Sequence, residues 1–292
     1  MLKFLSFTFL FFLLFQNIFA QLISWNELLE GEQLQADHRI YFGEDSLQFG
    51  DLWIPDGEIR NTVILIHGGC WLSVYPGVEL MNPMAAELRD KGFAIWNIEY
   101  RRIGHDGGGY PGTFSDVANG ADYLRVIAND FNLDLSNLIV SGHSAGGHLA
   151  TWLASRRNIA DTSPLYHPDP IPVSAVISLA GINDLERYAR YSSSSCGINT
   201  VERLVHFEER KDESYLDTSP HRLLPLNVPF IEVAAAFDAP VPPFFGYHFV
   251  EALKNEGDDA TLHLLPDAGH FEMIAPWSDE WPTILNLFKT IR

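Results

Sequence analysis

The sequence predicts an α/β fold in which helices flank a mostly parallel central sheet. Short runs of β-branched and aliphatic residues, typical of strands covered on both faces, recur along the chain. Segments with apolar residues at spacings of three and four, typical of amphipathic helices, lie between these runs. The chain of 292 residues is 47% hydrophobic and 20% charged, so it can bury a large core.

The individual elements follow in order along the chain. An antiparallel strand pair is predicted first, and the segments that form it are residues 39–43 and 47–54. The buried strands that follow are predicted at residues 62–66, 93–98, 138–140, 173–179, 230–236 and 261–265. The predicted helices cover residues 83–91, 115–129, 145–156, 245–255 and 281–291. Because strands and helices alternate, most strands are expected to lie parallel.

An insertion at about residues 183–226 interrupts this alternation. It contains a serine cluster at residues 192–195 and a charged stretch at residues 208–213. Two interpretations remain open. The insertion is either a solvated surface loop with one helix or a lid that lies over the site and shapes a substrate pocket.

The first 20 residues have the pattern of an export signal. Lys3 precedes an apolar run over residues 4–15, and the small residue Ala20 stands at the expected cleavage position. The apolar run is shorter than the roughly 20 residues that span a bilayer. We predict cleavage after Ala20, a single domain over residues 21–292 and a periplasmic or secreted location. An uncleaved membrane anchor is the alternative.

Charge and cysteine content narrow the range of partners. The net charge of −19 disfavours nucleic acid and stable association with acidic lipid surfaces after signal cleavage. The two cysteines, Cys70 and Cys196, are too few for a disulfide scaffold or a four-cysteine zinc site. Export would permit them to pair, but the sequence does not give the distance between them. The sequence does not indicate an oligomeric state.

The strongest local motif is Gly-His-Ser-Ala-Gly-Gly at residues 142–147, between a predicted strand and a predicted helix. A tight, strained turn in this position requires small neighbours and exposes the serine at a helix N-terminus. We predict Ser144 as the nucleophile. An ordinary glycine-rich turn is the alternative.

A second motif, His-Gly-Gly-Cys-Trp at residues 67–71, follows the first buried strand. Consecutive glycines let backbone N–H groups point at a substrate oxygen without obstruction by side chains. We predict an oxyanion hole in this loop, with the N–H of Ala145 as a further donor. Gly69 and Cys70 are the candidate donors in the loop, and Gly68 also belongs to it. His67 is interpreted as a structural residue that orders the loop rather than as a base.

A histidine and an acid complete the pattern in the chain order serine, acid, histidine. His270 follows the last predicted strand and is predicted as the general base. Asp238 follows the preceding strand and is predicted as the acid that orients the histidine. Asp184 and Asp267 remain as alternative acids.

Aromatic residues are candidates for the walls of a substrate pocket, with core packing as the alternative for each. These candidates are Trp71, Tyr110, Phe245 and Tyr247. The predicted chemistry requires neither a metal nor an organic cofactor.

The motifs at residues 67–71, 142–149 and 269–272 resemble those of α/β-hydrolase-fold serine esterases. The resemblance extends over roughly residues 47–291 and is greatest to the kynurenine formamidase-like (arylformamidase) branch. It implies a triad of Ser144, Asp238 and His270 and an oxyanion loop at Gly68, Gly69 and Cys70. The segment that begins at Asp238 is also similar to that of prolyl-oligopeptidase-like hydrolases.

The resulting hypothesis is two-step acyl transfer on a small-molecule ester or amide. Carboxylic esters are the expected substrates, with aryl formamides as an extension. A small serine peptidase of the prolyl-oligopeptidase type is the second hypothesis. The third is a non-catalytic binding protein on the same fold, which would be expected to lack a member of the triad.

Overall fold

One sheet of eight strands forms the centre of the protein in the computed structural model, which describes residues 22–30 and 34–291. The strands are β1 (His38–Tyr41), β2 (Phe49–Trp53), β3 (Thr62–Ile66), β4 (Ala94–Ile98), β5 (Ile139–His143), β6 (Ala175–Leu179), β7 (Phe230–Ala235) and β8 (Ala260–Leu265). Their spatial order is β1-β2-β4-β3-β5-β6-β7-β8. β2 is antiparallel to β1 and to β4, and the remaining pairs are parallel. The predicted fold class is therefore confirmed. The predicted export signal lies outside the described residues.

Helices connect the strands and cover the sheet. They are α1 (Trp25–Glu30), α2 (Asn82–Asp90), α3 (Gly112–Asp122), α4 (Leu124–Ile127), α5 (Ala145–Ser155), α6 (Leu185–Ala189), α7 (Thr200–Leu204), α8 (Phe207–Arg210), α9 (Phe244–Asn255) and α10 (Trp281–Thr290). α5 is buried along its whole length and packs against β3, β5 and β6. α2 packs against β4, and α9 packs against β7 and β8. None of the helices in the described ranges is long and apolar enough to cross a membrane.

The helix predicted at residues 115–129 differs from the structure. It begins at Gly112 and is divided at Tyr123 into α3 and α4. Just after the division, the N–H of Val126 donates to the carbonyl of Tyr123, three residues back, at 2.8 Å. Such a bond tightens the turn, and the regular α-helical pattern is interrupted there.

The insertion between β6 and β7 is more ordered than a solvated loop with one helix. It contains the three short helices α6, α7 and α8 together with 3₁₀ turns. Leu185, Tyr188, Val201 and Leu204 are buried in it and join the hydrophobic core. Of the two interpretations left open, the solvated loop with one helix does not describe this segment. The helices of four or five residues are too short to show a periodic apolar pattern.

The parallel strands end at one edge of the sheet. Because β3 to β8 share one direction, the loops that follow them meet at this carboxyl edge. His67, Ser144, Asp238 and His270 all follow the carboxyl ends of these strands. The topology therefore brings the predicted site residues to one side of the sheet.

Candidate active site

Ser144 lies in the turn between β5 and α5. Its backbone has φ 57° and ψ −118°, a conformation that residues with a side chain rarely adopt. β3 passes close behind the turn, and a Cβ on Gly146 would collide with the carbonyl oxygens of Ile66 and His67. The turn therefore requires glycine at position 146. It places Ser144 at the N-terminus of an 11-residue helix, where the dipole favours negative charge.

The loop after β3 lies directly against this serine. A Cβ on Gly68 would be 3.2 Å from Cβ of Ser144. Gly69 and Cys70 follow with φ of 100° and 53°. Among the hydrogen bonds of the described residues, none uses the backbone N–H of Gly69, Cys70 or Ala145 as the donor. These N–H groups, predicted as oxyanion donors, thus remain available to a substrate oxygen.

A buried ion pair anchors the start of the same loop. Nε2 of the fully buried His67 lies 3.0 Å from Oε1 of Glu99, and its Nδ1 lies 2.8 Å from the carbonyl oxygen of Gly68. Both partners are acceptors, so a ring that carries both protons satisfies both. Burial alone would raise the pKa of Glu99, but His67, Arg102 and the N–H of Tyr100 hold it at about 2. His67 is thus placed as a structural residue, and no sequence motif pointed to its partner Glu99.

Replacement of Glu99 by Gln is expected to lower the free energy of unfolding at neutral pH by about 3–5 kcal/mol, the usual cost of breaking a buried ion pair. Folding lowers the pKa of Glu99 from 4.5 to about 2. Its charge therefore stabilises the fold above about pH 4.5, and this contribution is lost as the pH falls towards 2. Urea unfolding at about pH 7 and about pH 3 should show a smaller difference between wild type and Glu99→Gln at the lower pH.

The matched control is Glu87→Gln, which removes a partly exposed carboxylate paired with Lys91 on α2. A surface pair of this kind contributes about 0–1 kcal/mol, so the control should unfold almost as the wild type does. An effect of Glu99→Gln that is equal at both pH values would contradict the assigned role of the Glu99 charge.

His270 and Asp238 face each other after the adjacent strands β8 and β7. Nδ1 of His270 donates to Oδ2 of Asp238 at 2.6 Å. The other carboxylate oxygen, Oδ1, accepts the backbone N–H of Val241 at 2.6 Å, which fixes the carboxylate. Because Nδ1 carries the proton, Nε2 of the neutral ring is left as the basic nitrogen. This is the tautomer that a general base requires.

The two alternative acids are placed differently. Asp184 caps α6, where its side chain accepts the backbone N–H of Arg187 at 3.1 Å, and it also pairs with the Arg187 side chain at 3.4 Å. Asp267 is exposed to solvent. Of the three candidates, Asp238 is the carboxylate that the structure brings to His270.

A second histidine, His143, ties the His270 loop to the nucleophile turn. Its Nε2 donates to the carbonyl oxygen of His270 at 2.8 Å, and the two ring centroids are 4.4 Å apart. Burial and, to a smaller extent, the neighbouring His270 hold the pKa of His143 well below 6.5, so its ring is neutral. Since His143 precedes Ser144, this bond sets the position of the His270 loop relative to the serine. No local sequence pattern indicates this role.

The N-terminal segment packs on the other side of the His270 loop. The N–H of Ile23 donates to Oε1 of Glu272 at 2.5 Å, and the N–H of Gly269 donates to Oε2 of the same carboxylate at 2.8 Å. The ring of Trp25 lies edge-on to Phe271 at 5.4 Å. Residues 22–25 therefore support the loop that carries His270, a role that no local sequence pattern indicated.

The four aromatics predicted as pocket walls lie in different surroundings. Trp71 is fully buried, and its indole N–H donates to Nδ1 of His148 at 3.1 Å. Phe245 is also buried, so core packing describes both residues. Tyr110 and Tyr247 line separate surface cavities of about 500 and 650 Å³. Neither cavity is lined by Ser144 or by the other two predicted triad members. Core packing, the alternative weighed for each aromatic, thus describes Trp71 and Phe245, and a pocket role stays a prediction for Tyr110 and Tyr247.

The two cysteines are joined. Cys70 and Cys196 form a disulfide with a Cα–Cα distance of 5.4 Å. One end of this bond is in the loop after β3 that is predicted to hold the oxyanion, and the other end lies in the insertion between β6 and β7. The question that the sequence left open is answered in favour of pairing.

The sheet and its carboxyl-edge site place the protein in the α/β-hydrolase class. The helix-covered parallel sheet with a strained serine between β5 and α5 is the arrangement of this fold. Within that class, the chain belongs to the BD-FAE family, whose sequence profile matches residues 51–253.

Two individual curated relatives share only about a quarter of their aligned residues with this chain. Esterase LipC of Mycobacterium tuberculosis is 26% identical over 248 residues, which are 80% of this chain and 59% of LipC. The chain spans little more than half the length of these curated relatives, 59% and 52% of the two esterases.

Solved structures share the fold. Esterase B from Lactobacillus rhamnosis aligns with a TM-score of 0.77 at 19% identity, covering 91% of this chain and 90% of that one. An acetyl ester-xyloside bifunctional hydrolase from Caldicellulosiruptor lactoaceticus aligns with a TM-score of 0.70 at 19% identity, covering 89% of this chain and 98% of that one. At these identities the similarity shows the fold alone.

Proposed function

We propose that this protein is a serine hydrolase that cleaves carboxylic esters through an acyl-enzyme. The observation that carries the proposal is the 2.6 Å hydrogen bond from Nδ1 of His270 to Asp238, which leaves Nε2 as a base at the edge of the sheet where the strained Ser144 lies. In this proposal Ser144 is the nucleophile, His270 is the general base and Asp238 is the orienting acid.

The reaction proceeds in two steps of acyl transfer. Nε2 of His270 takes the proton of Ser144 as Oγ attacks the ester carbonyl, and the N–H groups of Gly69, Cys70 and Ala145 receive the negative oxygen. His270 then gives the proton to the leaving alcohol, and the acyl group remains on Ser144. Water, deprotonated by the same histidine, releases the acid and restores the serine.

His143, which directly precedes Ser144, bonds to the carbonyl oxygen of His270 and so links the nucleophile turn to the His270 loop. Within the described part of the chain, no hydrogen bond joins Oγ of Ser144 to His270. Such bonds are often long in a free enzyme and shorten when the substrate binds. The geometry is therefore compatible with the proposed proton transfer.

Esters are the favoured substrate class for two reasons. The relatives and structures that resemble this chain carry esterase or ester-hydrolase names. Esters are also easier acyl donors than amides. Aryl formamides, suggested by the sequence motifs, are the proposed extension of this substrate range. A short-peptide substrate is the alternative that the test must separate.

The test combines labelling with a substrate panel. A fluorophosphonate should label the protein at Ser144, as located by peptide mass spectrometry. The panel contains p-nitrophenyl esters from acetate to laurate, an acetylated xylose, an aryl formamide and dipeptide amides. We expect turnover of at least one ester with kcat/KM well above that of every dipeptide amide. Absence of both labelling and ester turnover would refute the proposal, and faster turnover of the amides would favour a peptidase.

We also propose that the mature protein is exported. The apolar run at residues 4–15 suggests a signal, and the Cys70–Cys196 disulfide is of a kind that persists in oxidising compartments. Mass spectrometry of the native protein should find an N-terminus at or near Gln21 in a periplasmic or secreted fraction. Recovery from the cytosol with Met1 intact would contradict this proposal.

A further inference from the structure

The insertion contacts two of the loops that form the candidate site. Cys196 is bonded to Cys70 in the oxyanion loop. The carbonyl of Cys196 accepts the hydroxyl of Thr200 at 2.7 Å, which links the disulfide to the first turn of α7. Cys196 is buried at 4% exposure, and Cys70 is partly buried against the hydrophobic core.

Two tyrosines connect the insertion to the loop that carries Asp238. The hydroxyl of Tyr188 donates to the carbonyl of Pro240 at 3.0 Å and lies 3.4 Å from Sγ of Cys196. The hydroxyl of Tyr191 donates to the carbonyl of Ala239 at 2.7 Å. Ala239 and Pro240 directly follow Asp238 in the chain. The insertion is thus fixed at both the oxyanion loop and the acid loop.

The oxyanion loop has a conformation that must be held by its surroundings. Gly69, Cys70 and Trp71 have φ of 100°, 53° and 56°, and for the two residues with side chains this region is unfavourable. Trp71 is held by its bond to His148, and Gly69 accepts the N–H of Leu72 at 2.9 Å. The N–H of Cys70 donates no hydrogen bond among the described residues, and its side chain is held by the disulfide to Cys196.

We propose that the insertion is a fixed brace and that Cys196, Tyr188 and Tyr191 are positioning residues for the proposed ester hydrolysis. They hold the oxyanion loop and the acid loop at the separation that the transition state needs. The brace is complete only when the disulfide is formed, so the oxidised protein is the fully active form. This inference rests on the proposed function and goes beyond it, because it assigns a catalytic requirement to residues outside the triad.

The experiment compares oxidised wild type, reduced wild type and the double variant Cys70→Ser/Cys196→Ser. Dithiothreitol transfers two electrons and two protons to the disulfide, which gives two thiols and oxidised cyclic dithiothreitol. Thiol titration measures the reduced fraction, and circular dichroism at the assay temperature measures the folded fraction. Hydrolysis of p-nitrophenyl acetate then gives kcat and KM for each form.

We expect both disulfide-free forms to lose kcat per folded molecule by about 10- to 100-fold, since loss of one oxyanion donor alone costs about 10²–10³. The KM should change far less, because the donors act on charge that develops in the transition state. The pH midpoint of kcat should stay the same, because the Asp238–His270 bond does not involve the disulfide. Reoxidation of the reduced wild type should restore kcat.

The matched control for a purely structural effect is Leu253→Ala, which opens a cavity in the buried face of α9. It should lower the melting temperature and leave kcat per folded molecule unchanged. A kcat per folded molecule that stays within about fivefold of the oxidised wild type in both disulfide-free forms overturns the inference. Failure of oxidised wild type to hydrolyse esters overturns the proposed function instead, so the two failures are distinguishable.

Discussion

Ser144→Ala is expected to abolish ester hydrolysis and to leave the fold intact. The substitution removes Oγ, the atom that forms the acyl-enzyme, and triad removal in serine hydrolases costs factors of about 10⁴–10⁶ in kcat. Alanine keeps the Cβ, so the packing against Gly68 is preserved. Turnover of p-nitrophenyl acetate and labelling by a fluorophosphonate should both be lost, with an unchanged circular dichroism spectrum.

Ser174→Ala is the matched control, because this serine precedes β6 and its hydroxyl donates to the carbonyl of Ser136 outside the site. It should retain both labelling and turnover. Hydrolysis by Ser144→Ala within tenfold of the wild type would show that another group is the nucleophile.

Asp238→Asn is expected to reduce kcat by about 10⁴ without unfolding the protein. The asparagine amide cannot stabilise the imidazolium, and it can donate to Nδ1 of His270, which would place the proton on Nε2. The histidine would then be held in the tautomer that cannot accept the proton of Ser144. Steady-state kinetics on p-nitrophenyl acetate and a urea unfolding curve measure the two effects separately.

Asp184→Asn is the informative comparison, because Asp184 was the principal alternative acid. Its carboxylate caps α6 and pairs with Arg187, so the variant should lose at most about 1 kcal/mol of stability and retain nearly normal kcat. If Asp184→Asn lost most of its kcat and Asp238→Asn kept a nearly normal kcat, the assignment of Asp238 as the orienting acid would be wrong. The acid would then follow β6 instead of β7.

The sequence predicted the parts of the structure that depend on buried runs and chain order. β3 reads Thr-Val-Ile-Leu-Ile and is buried at every residue, so its pattern has few alternatives. The order of serine, acid and histidine also identified the pair Asp238 and His270. In the structure, Nδ1 of His270 lies 2.6 Å from Oδ2 of Asp238. Both patterns are local, or depend only on which strand precedes a residue.

The features that the sequence did not predict depend on contacts between distant segments. His143 and Glu272 gain their roles from bonds to the loop of His270 and to Ile23, at separations of 127 and 249 residues. The helices of the insertion are too short for periodicity, and long-range bonds such as Tyr188 to Pro240 connect them to the rest of the fold. Composition and residue spacing do not indicate which distant segments come into contact.

The position of the N-terminal segment bears on how the protein should be produced. Leu22 lies against Gly269, since a Cβ on that glycine would be 3.1 Å from Cδ1 of Leu22. A purification tag fused directly ahead of Leu22 would therefore begin beside the His270 loop. Phe288 in α10 packs edge-on against Phe93 at 6.1 Å, at the amino end of β4 and on the opposite edge of the sheet. A C-terminal tag would leave the protein from that opposite edge and keep the approach to Ser144 open.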